Sequence, residues 1–237
     1  MFALSGIDIA LWDIVGKIEN KSIADLLGGL RVNSLEAYAS LFLYDDPEAT
    51  AIVSEKAVNE GYKIIKLHEN KMPPILSSRK IIGDCPLMVD VNCVWSETDM
   101  EQIISPLKEA KLYWLEEPLW PPENYNGLSK LRNKGFKIAS GENACTSYQF
   151  KEIINNNASD ILQPSVTKVG GISEIIKITE LEQKNSRVVP HSPYFGPGFM
   201  ATLQLIGSIA PDSEIERLYV DLKADLYHCA SNIDSKG

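Results

Sequence analysis

The chain has 237 residues, 44% hydrophobic and 23% charged, with 23 Lys and Arg against 32 Asp and Glu for a formal net charge of −9. That acidic balance argues against a nucleic acid or an anionic membrane as partner, and no run reaches the roughly 18 apolar residues of a membrane span. Cys85, Cys93, Cys145 and Cys229 lack CxxC or CxxH spacing, which speaks against zinc and a disulfide framework and for reduced thiols in a cytoplasmic setting. The apolar N-terminus is interrupted by Asp8 and Asp13 and has no basic stretch before it, unlike a signal peptide.

In chain order, Ile7, Ala10, Leu11, Ile14 and Val15 recur at helical spacing within a helix expected over 4–27 and stopped by Gly28-Gly29. Short apolar, β-branched runs then predict strands over 34–43, 63–68, 87–92, 112–117, 137–142, 160–164, 187–191 and 215–220. Helices are expected between them, including 47–59, 97–110, 147–155, 172–185 and 198–209, with a short one near 75–82 after Pro73-Pro74. Strands alternating with helices give a parallel sheet covered on both faces. The length is close to the roughly 250 residues of one barrel of the TIM type. The expected division is a helical lead-in over 1–33, an α/β barrel over 34–227 and a loose tail over 228–237.

Asp90, Glu116 and Glu142 each close an apolar run and recur every 26 residues. That interval is one strand, one crossover helix and two loops, so the three acids fall at the same end of successive parallel strands, on the rim where barrel chemistry gathers. A single strand-end acid is most often a helix cap; three at one interval point to a cation. Three oxygen ligands with open positions suit Mg2+ first and Mn2+ second. Such an ion would hold a substrate carboxylate and stabilise the enediolate left when the α-proton is removed. His191 and His68 are the candidate bases, and Lys66 is an electrophilic partner or, with its pKa lowered by the cation, a second base.

Alternation along a strand turns Lys66 with His68, and Asp90 with Asn92, toward the same mouth. Asn92, Ser165 after the sixth strand and Glu216 on the eighth are expected to contact substrate. Glu117 should face away from the mouth and pair with a helix. Lys168 reads as a solvent-facing residue at a helix start, and Trp95, Trp114 and Trp120 as core or pocket wall. His228 has no expected role.

The segments Gly6-Ile7-Asp8-Ile9-Ala10-Leu11-Trp12-Asp13 with Gly16-Lys17, Leu115-Glu116-Glu117-Pro118 and Gly170-Gly171-Ile172 resemble the mandelate racemase and muconate lactonizing enzyme group of the enolase superfamily. The resemblance runs from about residue 4 to about residue 227. It implies a modified (β/α)7β barrel, metal ligands at Asp90, Glu116 and Glu142, a Lys-x-Lys motif at Lys66-Leu67-His68, a seventh-strand base at His191 and a substrate-binding carboxylate at Glu216. It also implies an N-terminal capping domain that closes over the mouth, expected to be absent from this chain.

Two departures shape the expected chemistry. Where one branch has an Asp that orients the histidine and the other a catalytic Lys, this chain has Ser165; and His68 replaces the second lysine of the two-base pair. One-sided proton removal followed by loss of a β-hydroxyl remains, which is dehydration of an acid sugar by a hydro-lyase. A weaker resemblance, through the Lys-x-His pattern and Pro190-His191-Ser192-Pro193-Tyr194-Phe195-Gly196-Pro197-Gly198, is to a branch acting on galactarate-type acids and their lactones. The alternatives are a racemase or lactone cycloisomerase on the same intermediate, and a truncated metal-binding barrel with little or no activity. The expected partner is a small acid sugar; assembly into a homo-oligomer stays open.

Overall fold

The computed structural model describes residues 1–181 and 186–223. The tail expected over 228–237, with His228 and Cys229, lies outside the described residues. Elements run α1 (Phe2–Glu19), α2 (Ile23–Leu26), β1 (Ala37–Ser40), α3 (Pro47–Asn59), β2 (Ile65–Leu67), α4 (Met72–Ile82), β3 (Leu87–Asp90), α5 (Glu97–Glu109), β4 (Trp114–Glu116), α6 (Tyr125–Asn133), β5 (Ile138–Ser140), α7 (Ser147–Asn155), β6 (Ile161–Leu162), α8 (Ile172–Thr179), β7 (Arg187–Val188), α9 (Pro197–Ile209) and β8 (Ile215–Leu218). No helix among the described residues is long and apolar enough to cross a membrane.

All eight strands form one parallel sheet in the order β7-β6-β5-β4-β3-β2-β1-β8. This is the curled sheet of a TIM-type barrel with helices outside it. Between β7 and β8 no ladder is formed among the described residues; side chains bridge the seam instead. Ser213 Oγ donates to the Val188 carbonyl, and Ser192 Oγ donates to the carbonyl of Glu216 at 3.1 Å.

The period-two alternation of strands sorts the barrel into layers. Tyr38, Ile64, Met88, Trp114, Ala139, Ile161 and Val189 form a buried apolar cluster of their own, separate from the core under the helices. Each comes from a different strand or its immediate flank, so together they plug the barrel interior, with Tyr38 and Trp114 meeting edge to face at 5.9 Å. Two residues further along these same faces stand Ser40, Lys66, Asp90, Glu116, Gly141, Gln163 and His191. The polar mouth rests on an apolar floor.

The lead-in departs from the single helix expected. Asn20 takes a left-handed conformation (φ 51°) and ends α1, a geometry that Asn tolerates better than most residues. Ser22 then starts α2 with a reciprocal capping box to Asp25. The expected apolar face is also not the one that packs: Ile7, Leu11, Ile14 and Val15 are exposed, while Ser5, Ile9 and Gly16 are buried. The packed face is set by polar bonds to the start of α8. Asp8 accepts from the backbone N–H of Ser173 at 3.1 Å and its hydroxyl at 2.6 Å, Trp12 Nε1 donates to Ser173 Oγ at 2.9 Å, and Ser5 Oγ accepts from Gly170 N at 2.8 Å.

Two motifs some 165 residues apart thus form one joint. Gly171, the N-cap of α8, has no side chain to serve the helix start, and a Cβ there would lie 2.2 Å from Asp8 Oδ2. Asp8 supplies the missing cap and favours the positive end of the helix. Asp8→Ala should therefore lower unfolding free energy by about 1–2 kcal/mol in a urea titration; an unchanged midpoint would remove Asp8 from the joint.

Pro73 and Pro74 begin α4 rather than shortening it, because the first turn needs no amide donors. α6 has only Gly127, Leu128 and Leu131 buried, too thin a stripe to read from periodicity. Trp95 and Trp114 are buried as expected, but Trp120 is 68% exposed and lies outside the core.

Candidate active site and metal centre

Asp90 and Glu116 are register partners at the ends of β3 and β4, and Glu142 follows β5 by two residues. Oxygen atoms of the three carboxylates lie within 4.8 Å of one another, with Asp90 and Glu116 buried and Glu142 partly so. The 26-residue spacing is thus realised as one cluster.

Lys66 is fully buried and stands among the acids, its Nζ 2.5 Å from Glu216 Oε1, 2.9 Å from Glu116 Oε1 and 3.4 Å from Asp90 Oδ2. Burial works against its charge, but Glu116 and Glu216 outweigh that and hold its pKa well above the usual lysine range. In the metal-free chain this is opposite in direction to the lowered pKa that a cation would bring.

One ammonium cannot neutralise three acids equally. Glu116 is pushed up to about 7 by burial, with Asp90 and Glu216 repelling its charge against the pull of Lys66. Asp90 is driven up by burial yet held well below the usual range by Lys66 and His68. Its Oδ1 also accepts from the backbone and side-chain amides of Asn92, at 2.9 and 3.0 Å. Asn92 has φ 50° and an exposed side chain, so its amide aligns the Asp90 carboxylate from the mouth side. Trp114 Nε1 likewise orients Glu116, donating to Oε2 at 3.0 Å.

The two histidines face different acids. His68 Nε2 is 3.3 Å from Asp90 Oδ2 and its Nδ1 contacts the Leu41 carbonyl at 2.5 Å. His191, 7% exposed, has Nε2 at 2.7 Å from Glu142 Oε2, while its Nδ1 has no partner among the described residues. Burial raises the pKa of Glu142, but the His191 contact brings it below the ordinary value.

Ser165 is buried and its hydroxyl pairs with Thr167 Oγ1 at 3.0 Å and with the Tyr194 hydroxyl. It braces the loop after β7. Glu216 lies on the barrel floor beneath the acids; Ser40 Oγ donates to its Oε1 at 2.8 Å and Ser192 N to its Oε2 at 3.0 Å, alongside Lys66. Glu117 is buried, and it pairs with a strand end rather than with a helix. Its carboxylate accepts from Gly141 N at 2.8 Å and Cys93 Sγ at 3.3 Å, because a left-handed backbone at Glu117 (φ 40°) turns it along the rim.

Two residues join the mouth that the sequence reading did not place there. Lys168 is only 24% exposed at its side chain and reaches to 3.8 Å from Glu142 Oε1, so it is not a solvent-facing lysine. Gln163 is fully buried, with both amide atoms unpartnered among the described residues. Its period-two relation to Ile161 was the available signal.

An all-oxygen set of three converging carboxylates, already attracting one ammonium, fits a hard divalent cation. Soft or imidazole-rich sites of the zinc type have no counterpart here among the described residues.

Comparison with known proteins agrees with this arrangement. Residues 49–233 match the family model described as enolase C-terminal domain-like, and residues 1–28 match that of the mandelate racemase/muconate lactonizing enzyme N-terminal domain. A D-galactarolactone cycloisomerase from Agrobacterium fabrum is 34% identical over 224 residues, which is 89% of this chain and 58% of that protein. A protein provisionally named L-rhamnonate dehydratase from Caldivirga maquilingensis is 32% identical over 212 residues, 85% of this chain and 52% of that protein. The chain thus spans little more than half the length of these relatives. The crystal structure of an enolase superfamily member from Polaromonas sp. JS666 superposes with a TM-score of 0.89 at 26% identity, covering 100% of this chain and 65% of that one. With its barrel, its clustered acids and these matches, the chain belongs to the mandelate racemase/muconate lactonizing enzyme group of the enolase superfamily.

Proposed function

We propose that this chain is the barrel of a divalent-metal-dependent hydro-lyase acting on an acid sugar, an aldarate or aldonate. The observation that carries the reading is the convergence of Asp90, Glu116, Glu142, Lys66 and His191 on one rim. Asp90, Glu116 and Glu142 would hold Mg2+, or Mn2+ in its place, which when bound supplies Lewis acidity to the substrate carboxylate.

The chain's own groups account for the rest. Lys66 offers a fixed positive charge beside the substrate carboxylate, where negative charge develops as the α-proton leaves. His191 takes that proton on Nε2, turning from Glu142 toward the α-carbon; the C–H pair becomes the new double bond and the β-carbon–oxygen bond breaks. His68, across the mouth, protonates the departing hydroxyl, so that water leaves and the enol relaxes to a 2-keto acid. Asn92 aligns Asp90 and reaches substrate from the exposed side. Ser165 and Glu216 act from beneath, through Tyr194 and Lys66.

The identity with a lactone cycloisomerase favours one second reading, ring opening or closure of a lactone after the same proton removal. Incubation with Mg2+ and a panel of aldaric acids, aldonic acids and their lactones in D2O separates the two by NMR. Dehydration gives a 2-keto product that has lost water and carries deuterium at the former β-carbon; ring opening or closure of a lactone gives an isomer of its substrate, with no net loss of water. Neither exchange at an α-carbon nor a new product from any of these compounds would leave a metal-binding barrel without activity.

A further inference from the structure

Gln163 is fully buried, yet neither its Oε1 nor its Nε2 has a hydrogen-bond partner among the described residues. A buried amide is ordinarily satisfied, because stripping it of water without replacement is unfavourable. Its position explains why the barrel cannot serve it. It follows Ile161 of the interior plug by two residues and so faces the mouth. Ser140 pairs with Leu162 and Leu162 with Val188, which sets Gly141 on one side of Gln163 and Val189 on the other. Gly141 has no side chain and Val189 is apolar. The next mouth residue after β7, His191, likewise has a buried Nδ1 without a partner among the described residues.

We propose that Gln163 is a substrate-binding residue whose amide engages a hydroxyl of the acid sugar at the deep, β6 side of the mouth. This rests on the acid-sugar reading above. A primary amide both donates and accepts, so it can give Nε2–H to a hydroxyl oxygen and take the hydroxyl hydrogen on Oε1. Lys66 and a cation held by the three acids would take the carboxylate end; Gln163, on the opposite arc from Lys66, reads the polyol.

The test uses Gln163→Met, close in shape and apolar, and Gln163→Leu as a second apolar variant. Since the amide makes no bond among the described residues, both variants should melt at or above the wild-type temperature, and Mn2+ affinity by electron paramagnetic resonance should stay unchanged. With Mg2+ and the acid of the exchange panel that wild type turns over, KM should rise about 10- to 100-fold. An unmoved KM in both variants beside an active wild type overturns this inference alone, and so does a fall in melting temperature without a rise in KM. A wild type inert toward every acid in the panel overturns the acid-sugar reading and this inference with it.

Discussion

Lys66→Met is expected to destabilise the metal-free chain by about 3–5 kcal/mol, the cost of leaving buried charge without its partner. Lys66 and Glu116 are 0% exposed and Asp90 1% exposed, and Glu216 on the floor is equally enclosed. Met fills nearly the same volume, so the loss reflects charge rather than a cavity. The remaining carboxylates can be relieved by protons or by a divalent cation. Mg2+ should therefore stabilise the variant, and by more than it stabilises wild type, since anything bound only by the folded chain shifts unfolding in its favour.

The pH dependence of metal-free wild type follows from Glu116. Its folded pKa of about 7 lies above the ordinary 4.5, so the folded chain binds that proton more tightly. This contribution to stability is present at low pH and is lost as pH climbs from about 4.5 through about 7. Removing Lys66 takes away the group that lowers Glu116, moving the window upward. Guanidinium titrations at pH 5 and pH 8, with and without Mg2+, check both statements. A variant as stable as wild type at pH 8 without Mg2+ would show that Lys66 is not the counter-charge of the cluster.

How much of this was legible beforehand depends on the range of each interaction. The strands were readable because parallel strands covered on both faces are continuous apolar runs, and the structure keeps a strand inside every expected span. The cluster of Asp90, Glu116 and Glu142 was readable because one repeat of the fold has a fixed length. Features set by a single residue were not. Periodicity ran on through Ile23, hiding the break that a left-handed Asn20 makes. The outward apolar face of α1 was hidden because Ser5, Asp8 and Trp12 find their partners across the chain, in Gly170 and Ser173. Lys168 comes to Glu142 from a loop, where no period applies. Gln163 was within reach, since alternation along β6 puts it on the same face as Ile161 of the interior plug.

His191→Asn should lower α-proton exchange by about 10²- to 10⁴-fold, the contribution of a positioned general base, while leaving Mn2+ affinity equal to or above wild type. In the structure His191 Nε2 occupies Glu142 Oε2 at 2.7 Å. Asn can still donate to that oxygen, so the metal site loses nothing it needs. The decisive control is His68→Asn. His68 contacts Asp90 and His191 contacts Glu142, on opposite sides of the cluster, so each can reach only one face of a substrate held between them. Exchange abolished by His191→Asn but merely slowed by His68→Asn, with the elimination step stalled, assigns the base to β7 and the acid to β2. Exchange retained in His191→Asn would move the base to His68 or Lys66.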